Sequence, residues 1–258
     1  MDTLGGIFNT YQDGIQKLFR SRLLLQIMIS LGEGDKTLTE IRGVTDTTSQ
    51  TILPKIRYLE EVHYIRYDDD AYHLTPPQGN VISSQIQDHI RTAYLFCKNP
   101  KFWSSHYLEA LPAPPFLRDI GDLYHSGIVE TFNTNILSVL ECFYDMLEHA
   151  ERIHVISSFM SQSHADALIA KVKKGVPVEM VVNTEIAEEL RKEPFLSKIK
   201  EIAAYTHFRV YVAPMPPLFI GLTVTDLTLS FGLCRNDDFK YDMSCDLIST
   251  DSLALAWG

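Results

Sequence analysis

The chain has 258 residues, of which 45% are hydrophobic and 22% charged, the balance of a globular protein with a substantial core. No apolar run approaches the roughly 18 residues of a membrane span, and the first residues lack the basic and apolar regions of a signal peptide, so we expect a cytoplasmic protein with no membrane partner. The net charge of −10 argues against a protein that coats nucleic acid non-specifically, but not against a specific binder with a neutral or basic contact face.

The cysteines indicate a reducing compartment and no metal. Cys97, Cys142, Cys234 and Cys245 form no C-x-x-C pair, and no histidine completes a zinc-like spacing. We expect buried free thiols, no metal site and no cofactor.

The N-terminal region begins with two predicted helices. Apolar residues at three- and four-residue steps predict one amphipathic helix from Gly14 to Leu31, ended by Gly32 and Gly34. Thr37 and Glu40 then have the spacing of a capping box, which predicts a second, short helix.

A third helix is predicted to open at Thr47-Thr48-Ser49 and to run to Glu61. Ile52, Ile56 and Leu59 form its inward stripe. Pro54 lacks the N–H that a helix interior needs, so we expect either a kink there or a helix that begins only just before it.

After these helices the pattern changes to a hairpin. Two short aromatic and β-branched runs, 64–67 and 71–74, flank Asp68-Asp69-Asp70. Three helices followed by a hairpin is the winged helix-turn-helix order, which serves in DNA binding and also in protein–protein modules. The acidic tip is expected to be a solvated turn that does not contact phosphates. Metal binding by the three aspartates is the less favoured alternative, because an oxygen-ligand site needs about six donors.

If the module binds DNA, the second and third helices provide the contacts. Gln50 and Thr51 can reach base edges, Lys55 and Arg57 can neutralise phosphates, and Arg42 can assist. The full predicted set is Arg42, Thr48, Ser49, Gln50, Thr51, Lys55, Arg57 and Tyr58.

A connector follows the hairpin. An apolar stripe from Val81 to about Cys97 predicts a helix. This helix is expected to lie against the same helix of a second copy of the chain or to cover the N-terminal winged-helix module. Prolines between 99 and 116 indicate a boundary, and a further amphipathic helix is predicted from Val129 to His149.

The remaining chain has an α/β pattern. Strands are predicted at 153–156 and 178–182, joined by a helix over 162–174, which is the right-handed crossover between parallel strands. Two helical segments lead to a strand at 208–212. An antiparallel set then closes the sheet at 218–225, 227–234 and 245–248.

These residues resemble a known family. In the N-terminal winged-helix module, the segments that carry the likeness are Leu38-Thr39-Glu40-Ile41, Ile52-Leu53-Pro54-Lys55-Ile56-Arg57-Tyr58-Leu59-Glu60 and Tyr72-His73-Leu74-Thr75. In the rest of the chain, here called the body, they are Leu111-Pro112, Phe116-Leu117-Arg118-Asp119-Ile120, Leu229-Ser230-Phe231-Gly232-Leu233 and Asp246-Leu247-Ile248-Ser249. They are similar to archaeal ArsR-like winged-helix regulators of the methanogenesis-regulator family, in which the head precedes a Fil-type middle domain.

The resemblance implies transcription control in an archaeon, a methanogen, and two features depart from it. His63 stands where such proteins commonly have a glycine at the end of the recognition helix. A helix begins at residues 254–258 and exposes Trp257, which suggests a truncated chain or an end covered by a partner.

The body is also similar to half of a phospholipase-D-like fold, as in the sugar-sensing TrmB regulators, but lacks that fold's catalytic residues. No histidine is followed two positions later by lysine. His207 and Arg209 can together bind an anion, or simply stand exposed at the start of a strand. Gly-rich phosphate loops are absent too, so we predict no enzyme, with a phosphodiesterase-like hydrolase as the remotest alternative.

A sensing pocket is expected beyond the carboxyl ends of the parallel strands. The residues there are Ser157, Ser158, Phe159, Asn183, Thr184 and Met215, which mix hydroxyl, amide, aromatic and thioether groups as small-molecule pockets do. The alternative for each of these residues is an ordinary structural role in a loop or in the core.

The predicted fold class is α/β overall: a winged helix-turn-helix domain at 1–75, a helical connector at 76–115 and a non-catalytic, phospholipase-D-like α/β sensor domain at 116–258. The predicted function is a homodimeric transcriptional regulator that binds double-stranded operator DNA and responds to a small-molecule effector. A winged-helix adaptor that recruits protein is the main alternative.

Overall fold

The structure is a computed structural model that describes residues 3–109, 111, 117–132, 134–213 and 219–258. Residues 1–90 and 91–258 form two compact units. The boundary between them falls inside one long helix, and the predicted connector from 76 to 115 stays a prediction. The first part of this helix packs into the first unit through Ile86, and its last part packs into the second unit through Leu95.

The first unit consists of helices around one apolar core, with a hairpin. Its elements are α1 (Leu4–Arg20), α2 (Arg22–Gly32), α3 (Leu38–Thr45), α4 (Ser49–Glu61), β1 (Ile65–Asp68), β2 (Ala71–Leu74) and the start of α5 (Gln78–Lys98). Leu24, Ile27, Ile41, Ile52 and Leu59 are among the buried residues of its core.

The first predicted helix is in fact two helices, and the expected single helix from Gly14 to Leu31 is wrong. Ser21 has extended backbone angles, and its hydroxyl accepts a hydrogen bond from the Leu24 N–H at 3.4 Å. A serine that caps a helix offers the backbone an alternative to continuing the previous one. The apolar periodicity continues across this break, so periodicity alone does not reveal it.

The capping box of α3 is confirmed. The Thr37 N–H donates to the Glu40 carboxylate at 2.7 Å, and the Glu40 N–H donates to the Thr37 hydroxyl at 3.3 Å. Helix α4 begins at Ser49, so the expectation of a helix that begins only just before Pro54 is wrong. The carbonyl of Gln50 loses its usual partner at Pro54, but Gln50 is exposed and water can satisfy that carbonyl.

The predicted hairpin is confirmed. Strands β1 and β2 pair antiparallel, and the two turn residues Asp69 and Asp70 have φ values of 48° and 59°. Two positive φ values define a type I′ turn, which matches the twist of the strands. A backbone bridge between Lys36 and Tyr72 adds a short third pairing.

Two other positions of the first unit need particular backbone geometry. His63, which follows α4, has φ 58°, a left-handed conformation that favours glycine. Gly79, in the first turn of α5, lies so close to the Tyr64 carbonyl oxygen that a Cβ atom would overlap it.

The second unit is built on a seven-stranded sheet of order β3-β9-β8-β7-β4-β5-β6. The strands are β3 (Gly127–Glu130), β4 (Ile153–Ser157), β5 (Val178–Asn183), β6 (Phe208–Ala213), β7 (Ile220–Thr225), β8 (Leu229–Leu233) and β9 (Cys245–Ser249). The helices are α6 (Pro100–Ser105), α7 (Ser138–Glu148), α8 (Gln162–Lys173), α9 (Thr184–Glu189), α10 (Phe195–Ile202) and α11 (Ser252–Trp257), with a 3-10 turn at Ile120–Leu123. The predicted parallel pairing of β4 and β5 is confirmed.

Two expectations for this unit are wrong, the start of the helix at Val129 and the exposure of Trp257. Residues 127–130 form an edge strand that pairs with β9, and the helix predicted from Val129 begins only at Ser138. Pro100 begins α6, since proline fits the first turn of a helix; the boundary expected near residues 99–116 stays a prediction. Trp257 is half-buried and packs edge-on against Phe231, with ring centroids 5.6 Å apart.

Apolar clusters cover both faces of the sheet, because successive strand residues point to opposite sides. On β4, Val155 belongs to a cluster with Leu168 and Met180, whereas Ile156 packs against a cluster that contains Phe231. Within the described ranges, no helix combines the length and the apolar character required to cross a membrane.

Candidate functional site

Helix α4 has one buried and one exposed face. Ile52, Ile56 and Leu59 are at most 1% exposed and form the core side. Gln50 and Arg57 lie about half a turn away from them and are exposed. This outward face carries one amide and one guanidinium group, which suit hydrogen bonding to bases and charge contact with phosphates.

The side chains on the flank of α4 are more enclosed. Lys55 and Tyr58 are half-buried, and Lys17 of α1 places its ammonium nitrogen 3.5 Å from the centre of the Tyr58 ring. Burial raises the pKa of the Tyr58 hydroxyl. Tyr58 thus packs against α1 as well as lying beside the predicted contact residues. Lys17 was missed by the sequence reasoning because only the packing of α1 on α4 brings it there.

The first turn of α4 has no side-chain cap. The hydroxyl groups of Thr48 and Thr51 lie 3.1 Å apart and bond to each other, and Thr48 makes no capping bond to the backbone. The first amides of a helix carry partial positive charge and attract phosphates. Ser49, the first helical residue, is half-buried, while Thr48 and Thr51 are exposed.

Charge around this surface is mixed. Residues 1–90 contain 8 Lys and Arg against 12 Asp and Glu. Arg42 on α3 is exposed. At the hairpin tip the Tyr67 hydroxyl donates to the Asp70 carboxylate at 3.1 Å, and Arg66 lies 3.9 Å from Asp68. The basic groups at this surface are therefore Arg42 of α3, Lys55 and Arg57 of α4, and Lys17 of α1, and the hairpin tip is acidic.

In the second unit, four of the predicted ligand residues line two adjoining cavities. Ser157 and Phe159 line an inner cavity of about 60 Å³ between the sheet and helices α7 and α8. Ser158, Phe159 and Asn183 line an open groove of about 500 Å³.

The other two predicted ligand residues are not placed in these cavities. Thr184 is exposed at the start of α9, outside the lining of both. Met215 lies outside the described residues. Asn183 also caps α9, since its side-chain oxygen accepts from the Ile186 N–H at 2.8 Å.

The polar end of the inner cavity is a carboxyl group that the sequence analysis did not predict. Asp246, on β9, is 7% exposed. Its two oxygens accept hydrogen bonds from the Ser230 hydroxyl at 2.7 Å and the Tyr241 hydroxyl at 2.8 Å. Burial raises the pKa of Asp246 to about 6. The sequence signal was a single aspartate between apolar residues of a strand.

Two glycines make room for the tyrosine. Gly221 and Gly232 face each other across β7 and β8. A Cβ atom on Gly232 would overlap the Tyr241 hydroxyl and the Asp246 carboxylate, and one on Gly221 would overlap the Tyr241 ring. The ring therefore lies flat on the sheet, which aims its hydroxyl at Asp246.

The Phe159 ring stacks on Tyr241, with centroids 4.3 Å apart and planes 22° apart. Both rings line the inner cavity and the outer groove, so the stack lies where the two spaces adjoin. The segment that carries Tyr241 is anchored next to it, because Asp242 pairs with the buried His106 at 3.2 Å.

His164 of α8 completes the inner cavity. Its Nδ1 atom lies 2.6 Å from the Ser161 hydroxyl, and its ring packs against Phe143 at 4.6 Å. Burial lowers the pKa of His164 to about 4, so the imidazole is neutral near pH 7.

The predicted anion-binding pair has other partners. The His207 Nε2 atom lies 2.9 Å from the Val172 carbonyl oxygen, and the Arg209 guanidinium lies 3.2 Å from the Glu179 carboxylate. Both groups are engaged within the protein.

The first unit thus exposes one face of α4, and the second unit has a cavity between its sheet and two helices. Residues 12–93 match the family model of the N-terminal domain of the methanogenesis regulatory protein FilR1, and residues 136–258 match the model of its middle domain. The chain thus carries the N-terminal and the middle domain of the FilR1 family of transcriptional regulators. The expected resemblance to methanogenesis regulators with a Fil-type middle domain is confirmed, and the ArsR-like relationship stays a prediction.

Solved structures give weaker likenesses. The archaeal chromatin protein TrmBL2, described with a novel mode of DNA binding, is 17% identical with a TM-score of 0.38, over 96% of this chain and 94% of that one. The phospholipase D family member Nuc from Salmonella typhimurium is 15% identical with a TM-score of 0.35, over 48% of this chain and 80% of that one. An O-methyltransferase family protein from Burkholderia thailandensis is 9% identical with a TM-score of 0.28, over 83% of this chain and 65% of that one. No curated protein sequence matched the chain significantly.

Proposed function

We propose that the chain is a winged-helix regulator that binds operator DNA. Residues 1–75 form the DNA-binding head, residues 76–115 the connector and residues 116–258 a non-catalytic, phospholipase-D-like sensor domain. The observation that carries the proposal is the exposed outward face of α4. A helix that presents such a face can enter the major groove, where each base pair displays a distinct pattern of hydrogen-bond groups.

The contacts divide by chemistry. Gln50 and Thr51 read base edges, and Arg57 and Lys55 neutralise phosphates with help from Arg42. Thr48 and Ser49 bring the first amides of α4 to the backbone of the duplex. Tyr58 supports the helix by packing under Lys17. With few basic residues in the head, the salt dependence of binding is expected to be shallow.

A homodimer places two α4 helices on a partly palindromic site, about one DNA turn apart. Helix α1 supports this proposal, since one of its faces is apolar and exposed. Leu4, Ile7, Tyr11 and Ile15 follow one another at three- and four-residue steps along it, and each is at least 44% exposed. A second copy that covers this face would remove a continuous apolar stripe from water.

Ligand sensing is assigned to the inner cavity and its groove. A ligand changes DNA binding only if it binds two arrangements of the protein with different affinity. The stacked pair of Phe159 and Tyr241 between the two spaces is the element that entry of a ligand would displace.

The test is a gel-shift titration with the DNA upstream of the protein's own operon at two salt concentrations. We expect a sequence-specific shift that Arg57→Gln weakens and that Arg152→Gln, an exposed arginine of the second unit, leaves unchanged. Absence of any specific shift would favour an adaptor that recruits protein. The acidic hairpin tip and the excess of acidic residues in residues 1–90 support that alternative.

A further inference from the structure

We propose that the inner cavity binds a small organic cation, an ammonium group on a compact apolar body, with the Asp246 carboxylate as its counter-ion. This inference rests on the proposed sensor function and names the chemical class of the effector.

The first argument is the unpaired charge. Each Asp246 oxygen accepts one hydroxyl hydrogen bond and keeps further acceptor capacity. In the part of the chain that the structure describes, no Lys or Arg forms an ion pair with Asp246, and the charge that acts on it is the like charge of Asp242. A buried carboxylate without a cation is costly, so a ligand that supplies N⁺–H donors is favoured over a neutral or anionic one.

The second argument is the lining. Phe143 and Phe159 line the cavity with aromatic rings, and Met160 and Met243 add polarizable sulfur. The Tyr241 ring is covered by the sheet on one face and by Phe159 on the other, so it contributes its edge and its hydroxyl. Aromatic faces attract cations, most strongly where water is excluded. The imidazole of His164 is neutral near pH 7 and adds no competing positive charge.

The third argument is size. The cavity of about 60 Å³ holds a body of about five non-hydrogen atoms, since one water needs roughly 10–15 Å³ measured in the same way. A longer substituent would pass the Phe159–Tyr241 stack into the groove, which Lys240 and Glu185 help to line.

The experiment compares three probes of matched shape on the purified full chain without DNA, by calorimetric titration. Isobutylammonium has the size and charge that the cavity requires, isobutanol lacks the charge, and isobutyrate reverses it. We expect a Kd on the order of 1 mM for isobutylammonium, and binding weaker by about tenfold or more for the other two.

Variants test whether the preference for the cation depends on Asp246. Asp246→Asn is expected to abolish the preference for the cation, whereas Asp237→Asn, an exposed acid of the same segment, is expected to retain it. Val139→Trp fills the cavity from α7 with the carboxylate unchanged, and is expected to lose all binding. This variant keeps the test valid should Asp246→Asn fail to fold. Equal affinity for the three probes, a preference for isobutyrate, or undiminished cation binding by Asp246→Asn or by Val139→Trp would overturn the proposal.

The outcome is separable from that of the proposed function. A chain that shifts operator DNA but shows no preference for the cation refutes the ligand class alone. A chain that binds isobutylammonium through Asp246 but shifts no DNA refutes the regulator and leaves the cation site standing.

Discussion

Replacing Asp246 by asparagine changes a buried carboxyl group into an amide that cannot ionise. Burial raises the pKa of this group from 3.8 to about 6. The native state therefore holds its proton more tightly than the unfolded chain does. The resulting stability is fully present below about pH 4 and is lost as the pH rises through 6.

The magnitude follows from the shift. Two pKa units at about 1.4 kcal/mol each amount to roughly 3 kcal/mol lost by the wild type between pH 4 and pH 8. Asp246→Asn avoids this loss, because its amide oxygen still accepts one hydroxyl hydrogen bond and its NH₂ group donates to a hydroxyl that rotates. We expect the variant to gain about 1–3 kcal/mol over the wild type at pH 8 relative to their difference at pH 4.

The assay is urea unfolding between pH 4 and pH 8, followed by tryptophan fluorescence. The two tryptophans, Trp103 and Trp257, both lie in the second unit and report on it. Other titratable groups near Asp246 include Tyr241, Asp242 and Cys245 of its own segment, Cys142 of α7 and His164 of α8, and they are common to both proteins.

Because these neighbouring groups are shared, the difference between the two proteins isolates Asp246. Asp237→Asn serves as the control and is expected to show the wild-type pH profile. A difference between Asp246→Asn and wild type that stays constant from pH 4 to pH 8 would refute the reasoning.

Three further predictions concern the first unit, which contains no tryptophan; its unfolding is the part of the circular dichroism change at 222 nm that tryptophan fluorescence does not report. His63→Gly relieves a left-handed residue at φ 58° and is expected to stabilise this unit by about 1 kcal/mol; an unchanged or lower melting temperature would contradict it. Asp69→Asn combined with Asp70→Gly keeps the type I′ turn and removes two acidic groups, so operator DNA should bind about two- to fivefold more tightly at low salt and the gain should vanish at high salt. Gly79→Ala is expected to destabilise the unit by at least about 2 kcal/mol through overlap with a backbone carbonyl, whereas Gly43→Ala, which meets no atom within 4 Å, should not.

Local signals in the sequence predicted local structure well. The capping box of Thr37 and Glu40 and the hairpin around Asp69-Asp70 depend on residues within nine positions of one another, and both are present. The break at Ser21 escaped prediction because apolar spacing continued through it. The edge strand at 127–130 escaped because its partner, β9, lies more than 100 residues away.

The cavity shows more clearly what could not be predicted from the sequence. The residues expected at the strand ends, Ser157, Phe159 and Asn183, do lie at the two spaces. Asp246 and Tyr241 did not stand out in the sequence. Their roles arise because the antiparallel strands bring them against the parallel half of the sheet, a long-range pairing that no short motif records.

The most direct test of the account is a fluorescence anisotropy titration of operator DNA and of unrelated DNA with Gln50→Ala and Arg57→Gln. Gln50→Ala is expected to reduce the ratio of specific to unrelated affinity by about 5- to 100-fold, the value of one good base contact. Arg57→Gln is expected to weaken both complexes alike and to lower the salt slope by about one. If both variants bind the operator as the wild type does, with the same ratio and the same slope, the outward face of α4 does not contact DNA and the central claim is wrong.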